Sequence, residues 1–231
     1  MTLKTGVAGL DGLLRGGLPE SASILFEGLP GCGKDSFAYA FLLNQIKEGK
    51  VGFIVYSGLS NRDIQDVFEA HGMRIQDQTM TNLLYWIDAE GRDEGQNVIR
   101  VEQGTLSEIS ITLSKYLESN KDKSMVGVVQ LLDAALMLNS PKEIYKFTKE
   151  LVQKLKRYDI TSIFLIEKGM HAPESVVMLE SLSDGVVEFK LFEEGFDVKR
   201  GLRVVKMRGA TIEPKFYPYT MSETGLLVQA S

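Results

Sequence analysis

The order of apolar runs along this 231-residue chain predicts an α/β fold with a mostly parallel central sheet and helices on both faces. Two observations carry that prediction. Short continuous apolar segments, of strand length, alternate with longer segments of helical period. A glycine-rich stretch also sits at the first clear strand-to-helix junction, where α/β sheets present their ligand sites.

Each element has its own signal. Ser23 to Glu27 (SILFE) reads as a buried strand, and Asp35 to Glu48 as a helix with a wide apolar face, stopped by Gly49. Val51 to Tyr56 is a second strand. Asn61 to His71 is an amphipathic helix closed by Gly72. Leu83 to Asp88 is a third strand, and Ser107 to Ser119 is helical. Met125 to Asp133 is a fourth strand. Ser140-Pro141 opens a helix running to about Tyr158, with proline in its first turn. Ile160 to Ile166 is a fifth strand. After Asp184 the texture changes. Gly185 to Glu193, Leu202 to Lys206 and Lys215 to Thr220 read as successive short strands, which predict an antiparallel extension of the sheet. Residues 88–103 are polar and glycine-rich, hence a loop. With no repeat, low-complexity tract or linker, residues 1–231 are expected to form one domain, with a lead-in segment at 1–20 and a C-terminal β extension at 185–231.

Composition narrows the function. A net charge of -5 argues against broad binding to nucleic acid or to anionic membrane. The single cysteine, Cys32, excludes an intramolecular disulfide and suits a reducing compartment. The first residues lack the apolar core and cleavage site of a leader, and no segment has the apolar length of a membrane span. A cytoplasmic protein is expected.

The stretch with the most chemistry is GLPGCGKD, comprising Gly28, Leu29, Pro30, Gly31, Cys32, Gly33, Lys34 and Asp35. It follows the pattern G-x-x-x-x-G-K of a phosphate-binding loop. The glycines let backbone N–H groups turn toward an anion, the following helix N-terminus adds a positive dipole end, and Lys34 supplies a point charge for phosphate. The next position normally carries a Ser or Thr hydroxyl that ligates Mg²⁺; here it is Asp35, followed by Ser36. Ser36 is rotated by about 100° along the helix and does not replace that hydroxyl. Asp35 has two readings: a hard-oxygen ligand for Mg²⁺, or a first-turn acid favoured by the helix dipole. Asp133, closing the fourth strand, is the candidate second Mg²⁺ ligand.

These residues resemble the KaiC-like and RadA-paralogue branch of the RecA-superfamily ATPases. The resemblance runs from TGVAGLDGLLRGGLP at Thr5 to Pro19, through the loop, to the strand ending at Asp133. It continues with Ser183 to Val187, KMRG at Lys206 to Gly209, and Phe216 to Thr220. It implies a RecA-like fold, ATP or ADP with Mg²⁺ as ligand, and a homo-oligomer such as a hexameric ring, or a regulatory protein partner. It also implies that Lys206 and Arg208 reach a neighbour's nucleotide; two residues apart, they share a strand face. A solvated edge strand accounts for the same charges.

The departures from that family concern chemistry. The family's second strand ends in a Glu pair, one of which activates water; this chain has Ser57-Gly58, with no carboxylate before Asp63. Ser57 is too weak a base at neutral pH. Ala134 follows Asp133, and Glu167 follows the fifth strand. The expectation is a nucleotide-binding module, regulatory or for assembly, with little or no hydrolysis and no catalytic residue. Two alternatives stand beside it. One is an active ATPase or autokinase using Asp35 on Mg²⁺ with Asp63 or Glu167 as base. The other is a recombination accessory protein binding nucleic acid through the basic run at Lys199 to Arg208; the acidic balance disfavours it. His71 and His171 lack metal-ligand spacing, so zinc is not expected.

Overall fold

The computed structural model describes residues 1–75 and 78–229. The amino-terminal segment supplies β1 (Thr2–Leu3), α1 (Leu10–Leu13) and β2 (Leu18–Pro19), with β1 and β2 paired antiparallel. Then come β3 (Ser23–Gly28), α2 (Lys34–Lys47), β4 (Val51–Tyr56), α3 (Asn61–Ala70), α4 (Gln78–Leu83), β5 (Leu84–Asp88) and β6 (Val98–Arg100). The middle holds α5 (Leu106–Ser119), β7 (Met125–Gln130), α6 (Leu132–Leu138), α7 (Pro141–Arg157), β8 (Thr161–Glu167) and α8 (Pro173–Leu182). Last are β9 (Gly185–Glu194), β10 (Asp197–Met207), β11 (Tyr217–Ser222) and β12 (Gly225–Val228).

Among the described residues, ten strands form one sheet in the order β12-β11-β10-β9-β3-β8-β7-β4-β5-β6. From β9 to β6 every pairing is parallel; from β9 to β12 every pairing is antiparallel. The expected parallel sheet and antiparallel extension are therefore present, with the change of direction at β10 rather than at residue 185. The central strands β3 and β4 are buried at every position, which is why they read as unbroken apolar runs.

Helices cover both faces. One buried cluster joins α2, α3 and the inner C-terminal strands to the sheet through Phe37, Phe41, Phe68 and Phe189. The other joins α5, α7 and α8 through Leu113, Phe147, Leu155 and Leu179. Local signals set the helix starts. Ser60 with Asp63, and Ser140 with Glu143, form reciprocal capping boxes, and Pro141 occupies the first turn of α7. No helix among the described residues is long and apolar enough to cross a membrane.

Three expectations are corrected. The fourth strand ends at Gln130, and Asp133 lies in the first turn of α6. The chain leaves the strand at Leu131, whose ψ of -6° is not extended. The loop expected over 88–103 contains β6, a three-residue edge strand paired with β5 from Trp86↔Val98 to Asp88↔Arg100. Its polar surroundings hide it, because its order comes from the neighbouring strand. Leu83 ends α4 instead of starting β5. The sequence signals predict no counterpart for β1, α1, β2, α4, α6, α8 or β12.

Candidate functional site

The glycine-rich loop lies between β3 and α2, at the carboxyl end of the parallel strands. Gly28 ends β3, where a Cβ would stand 2.6 Å from Cys32 Sγ and 2.7 Å from the Phe189 carbonyl oxygen. Gly33 caps α2 in the left-handed region, at φ 88°, and a Cβ there would meet Met221 Sδ at 2.1 Å. Only glycine fits either position. The Cys32 N–H donates to the Leu29 carbonyl at 3.2 Å, closing the turn. From below, the Tyr219 hydroxyl on β11 donates to the Cys32 carbonyl. The Phe37 ring packs edge-on against Phe189 and Tyr219. The C-terminal strands therefore brace the loop, a contact between residues nearly two hundred positions apart. Leu29, Pro30 and Gly31 are exposed at the loop's crest, while Cys32 and Ser36 are buried.

Lys34 is the first residue of α2, and its side chain is only 3% exposed. Its ammonium pairs with Glu167 at the end of β8 and lies 3.4 Å from Asp35 Oδ1. Burial alone would pull the ammonium down, but Asp35 and Glu167 outweigh it and hold Lys34 above the ordinary lysine range. Lys34 is thus a charged group with two carboxylates against it. Asp35 is a first-turn acid of α2 with a partly exposed carboxylate; the cap itself is Gly33.

Asp133 has engagements of its own. Its Oδ1 accepts the Glu167 backbone N–H at 2.9 Å and lies 2.7 Å from His171 Nε2. No group of three or more His, Cys, Asp or Glu among the described residues is arranged to hold a metal ion. Mg²⁺ beside nucleotide phosphates takes one or two protein carboxylates; of the two expected ligands, Asp35 lies against Lys34, and Asp133 accepts from Glu167 and faces His171.

The end of β4 holds a residue that sequence reasoning missed. Glu90, in the turn after β5, accepts hydrogen bonds from Ser57 Oγ at 2.9 Å and from the Gly58 N–H at 3.1 Å. Its other oxygen lies 2.7 Å from Arg92 Nη2. A carboxylate therefore stands beside Ser57-Gly58, delivered from a neighbouring strand. Ser57, Glu90 and Ala134 line one cleft of about 280 Å³. The turn is organised by buried Asp88, whose carboxylate accepts the N–H groups of Glu90, Arg92 and Asp93. Asp63 is spent on the α3 capping box, and hydrogen bonds from the Ser60 side chain and backbone hold its carboxyl below the usual range.

Lys206 and Arg208 lie at the other end of the sheet. A bulge between Val204 and Lys206 puts Lys206 opposite Val186 and Met207 opposite Gly185. Val186 pairs with Leu25 and Gly185 with Ile24, so Lys206 sits level with a residue about 10 Å along the strand from Gly28, and Arg208, one residue beyond Met207, about 16 Å. Lys206 donates to the Glu180 carbonyl, and Arg208 pairs with Asp184 at 2.6 Å while staying largely exposed.

A strand, a glycine-rich loop and a helix opening on a buried lysine, set in a parallel sheet of this order, define a P-loop domain of the RecA superfamily. The family model described as "ATPase: KaiC" matches residues 3–231, and the chain belongs to that family. It is 29% identical over 98% of its length to the circadian clock oscillator protein KaiC of Parasynechococcus marenigrum, and spans 44% of that protein. It is 27% identical to a UPF0273 protein of Pyrococcus furiosus, covering 98% of this chain and 93% of that one. The chain thus spans under half of the KaiC oscillator relative and nearly all of the archaeal one. Its fold matches the crystal structure of a KaiC-like protein from Pyrococcus horikoshii with a TM-score of 0.82, at 22% identity over 99% of this chain and 98% of that one.

Proposed function

We propose that this protein is a nucleotide-binding module of the KaiC family that takes ATP or ADP with Mg²⁺ and turns it over slowly or not at all, serving regulation or assembly. The observation that carries this reading is the contrast between the two halves of the site. The loop is fully built around a charged, buried Lys34. The carboxylate near Ser57-Gly58 is already occupied by three donors, from Ser57, Gly58 and Arg92. A base must be within hydrogen-bond reach of the water it activates, and these three donors compete with that water for the two oxygens. Backbone N–H groups of the loop and the Lys34 ammonium would hold the phosphates, and Asp35, with Asp133, would hold Mg²⁺. Bound Mg²⁺ would neutralise phosphate charge.

The test is calorimetric titration with ATP and ADP, with and without Mg²⁺, alongside Lys34→Ala and a turnover assay. Lys34-dependent binding with negligible turnover is expected. Absence of binding under every condition, or brisk Lys34-dependent hydrolysis, would overturn the reading.

The position of Glu90 favours a second reading, an active ATPase in which that carboxylate serves as base. It requires Glu90→Gln to abolish whatever turnover the protein has; unchanged turnover removes it.

The cations at the far end of β10 support a homo-oligomer. Held about 10 and 16 Å along the strand direction from the chain's own loop, Lys206 and Arg208 would contact nucleotide only across a subunit boundary. Light scattering with and without nucleotide tests this, and a monomer in both conditions would exclude the trans contact.

A further inference from the structure

We infer that Glu167 is an internal competitor for phosphate: it occupies the loop lysine, and nucleotide binds by displacing it or by bringing a divalent cation with it. The inference rests on the nucleotide-binding reading above, and its basis is local geometry. Glu167 is the last residue of β8 and lies in register with Gly28, the first residue of the loop. Its backbone is fixed on that spot. The Glu167 N–H donates to Asp133 at 2.9 Å, and the Lys168 N–H donates to the Gly28 carbonyl at 2.9 Å. From there the carboxylate reaches Lys34, with Oε1 on the ammonium and Oε2 buried without a partner.

Lys34 is nearly sealed from solvent, and Asp35 Oδ1 lies 3.4 Å from the same ammonium. One ammonium therefore already faces two carboxylates, an excess of one negative charge. A phosphate arriving at that ammonium would add further charges of the same sign in a poorly solvated place, where repulsion between anions is strong. Two routes relieve it: Glu167 leaves, or a divalent cation arrives with the phosphate. The unpartnered Oε2 makes the first route accessible, since moving the carboxylate toward solvent satisfies that atom while it breaks one ion pair.

The consequence is a loop that discriminates against bare anions and admits a metal–nucleotide complex. It also links occupancy of the loop to β8, because the next residue, Lys168, bridges Glu27 and Glu188 on β3 and β9.

The experiment compares wild type, Glu167→Gln, Glu167→Asp and Lys34→Ala by calorimetry with ADP and ATP, with and without Mg²⁺. Glutamine keeps the shape and removes the charge, and should bind roughly ten- to a hundredfold more tightly than wild type. Its affinity should also depend less on Mg²⁺, a change that a merely structural role would not produce. Aspartate, one methylene shorter, should tighten binding by a smaller factor, and it keeps the test decisive if the glutamine variant fails to fold. Wild-type binding with no tightening in either folded variant would overturn the competitor and leave the nucleotide reading intact. No binding by wild type or by any variant would overturn the nucleotide reading, and this one with it.

Discussion

Asp35 and Lys34 are chemical neighbours with opposite demands. A carboxylate in the first turn of α2 stabilises the helix dipole, yet it stands where phosphate charge would gather. If it holds Mg²⁺, then Asp35→Ala should abolish the Mg²⁺ dependence of nucleotide affinity, read by titration with and without the metal. An affinity that rises equally in both conditions would instead mark Asp35 as a repelling charge. Tyr219 acts from the opposite side of the loop, through its hydroxyl on the Cys32 carbonyl. Removing one buried hydrogen bond costs about 1 kcal/mol, so Tyr219→Phe should lower stability by that amount in a denaturant titration.

At the scale of elements, α2 joins the loop to the core. Phe37, one turn into α2, is fully buried and touches both Phe189 of β9 and Tyr219 of β11. Phe37→Ala should cost about 3–5 kcal/mol in denaturant unfolding, because the cavity lies between three elements that cannot all collapse into it. For α7, the Ser140–Glu143 capping box satisfies two backbone donors, and Ser140→Ala should cost about 1 kcal/mol.

Across the whole molecule, a ladder of charge stitches the parallel sheet to its antiparallel extension. Glu27 on β3 lies in register with Glu188 on β9, and Glu188 with Arg203 on β10. Lys168 bridges the two glutamates at 2.8 and 2.6 Å, and Arg203 Nε lies 2.6 Å from Glu188. Burial would raise the Glu188 carboxyl, but Lys168 and Arg203 prevail and hold it below its ordinary 4.5. The stability Glu188 supplies is therefore whole above 4.5 and is lost as the pH falls through its depressed value. Glu188→Gln should lower the melting temperature at neutral pH and flatten its decline below 4.5. An acid limb as steep as that of wild type would show that Glu188 carries no part of it.

The sequence by itself determined the alternation of strands and helices, the phosphate loop, the family and the helix start at Ser140-Pro141. All of these are carried by residues adjacent in the chain, where backbone geometry and periodicity suffice. Gly28 to Lys34 was legible because a loop that cradles phosphate is contiguous. Only the tertiary structure decided what surrounds it. Glu167 meets Lys34 across a gap of 133 positions, Glu90 meets Ser57 across 33, and His171 meets Asp133 across 38. Each pair arises from strands that are neighbours in the sheet or from the turns at their ends, and no local pattern encodes which strands become neighbours. The edge strand β6 and the helical setting of Asp133 stayed hidden for the same reason. What a carboxylate does here, whether to hold a metal, cap a helix or occupy a lysine, is fixed by the partner the fold brings to it.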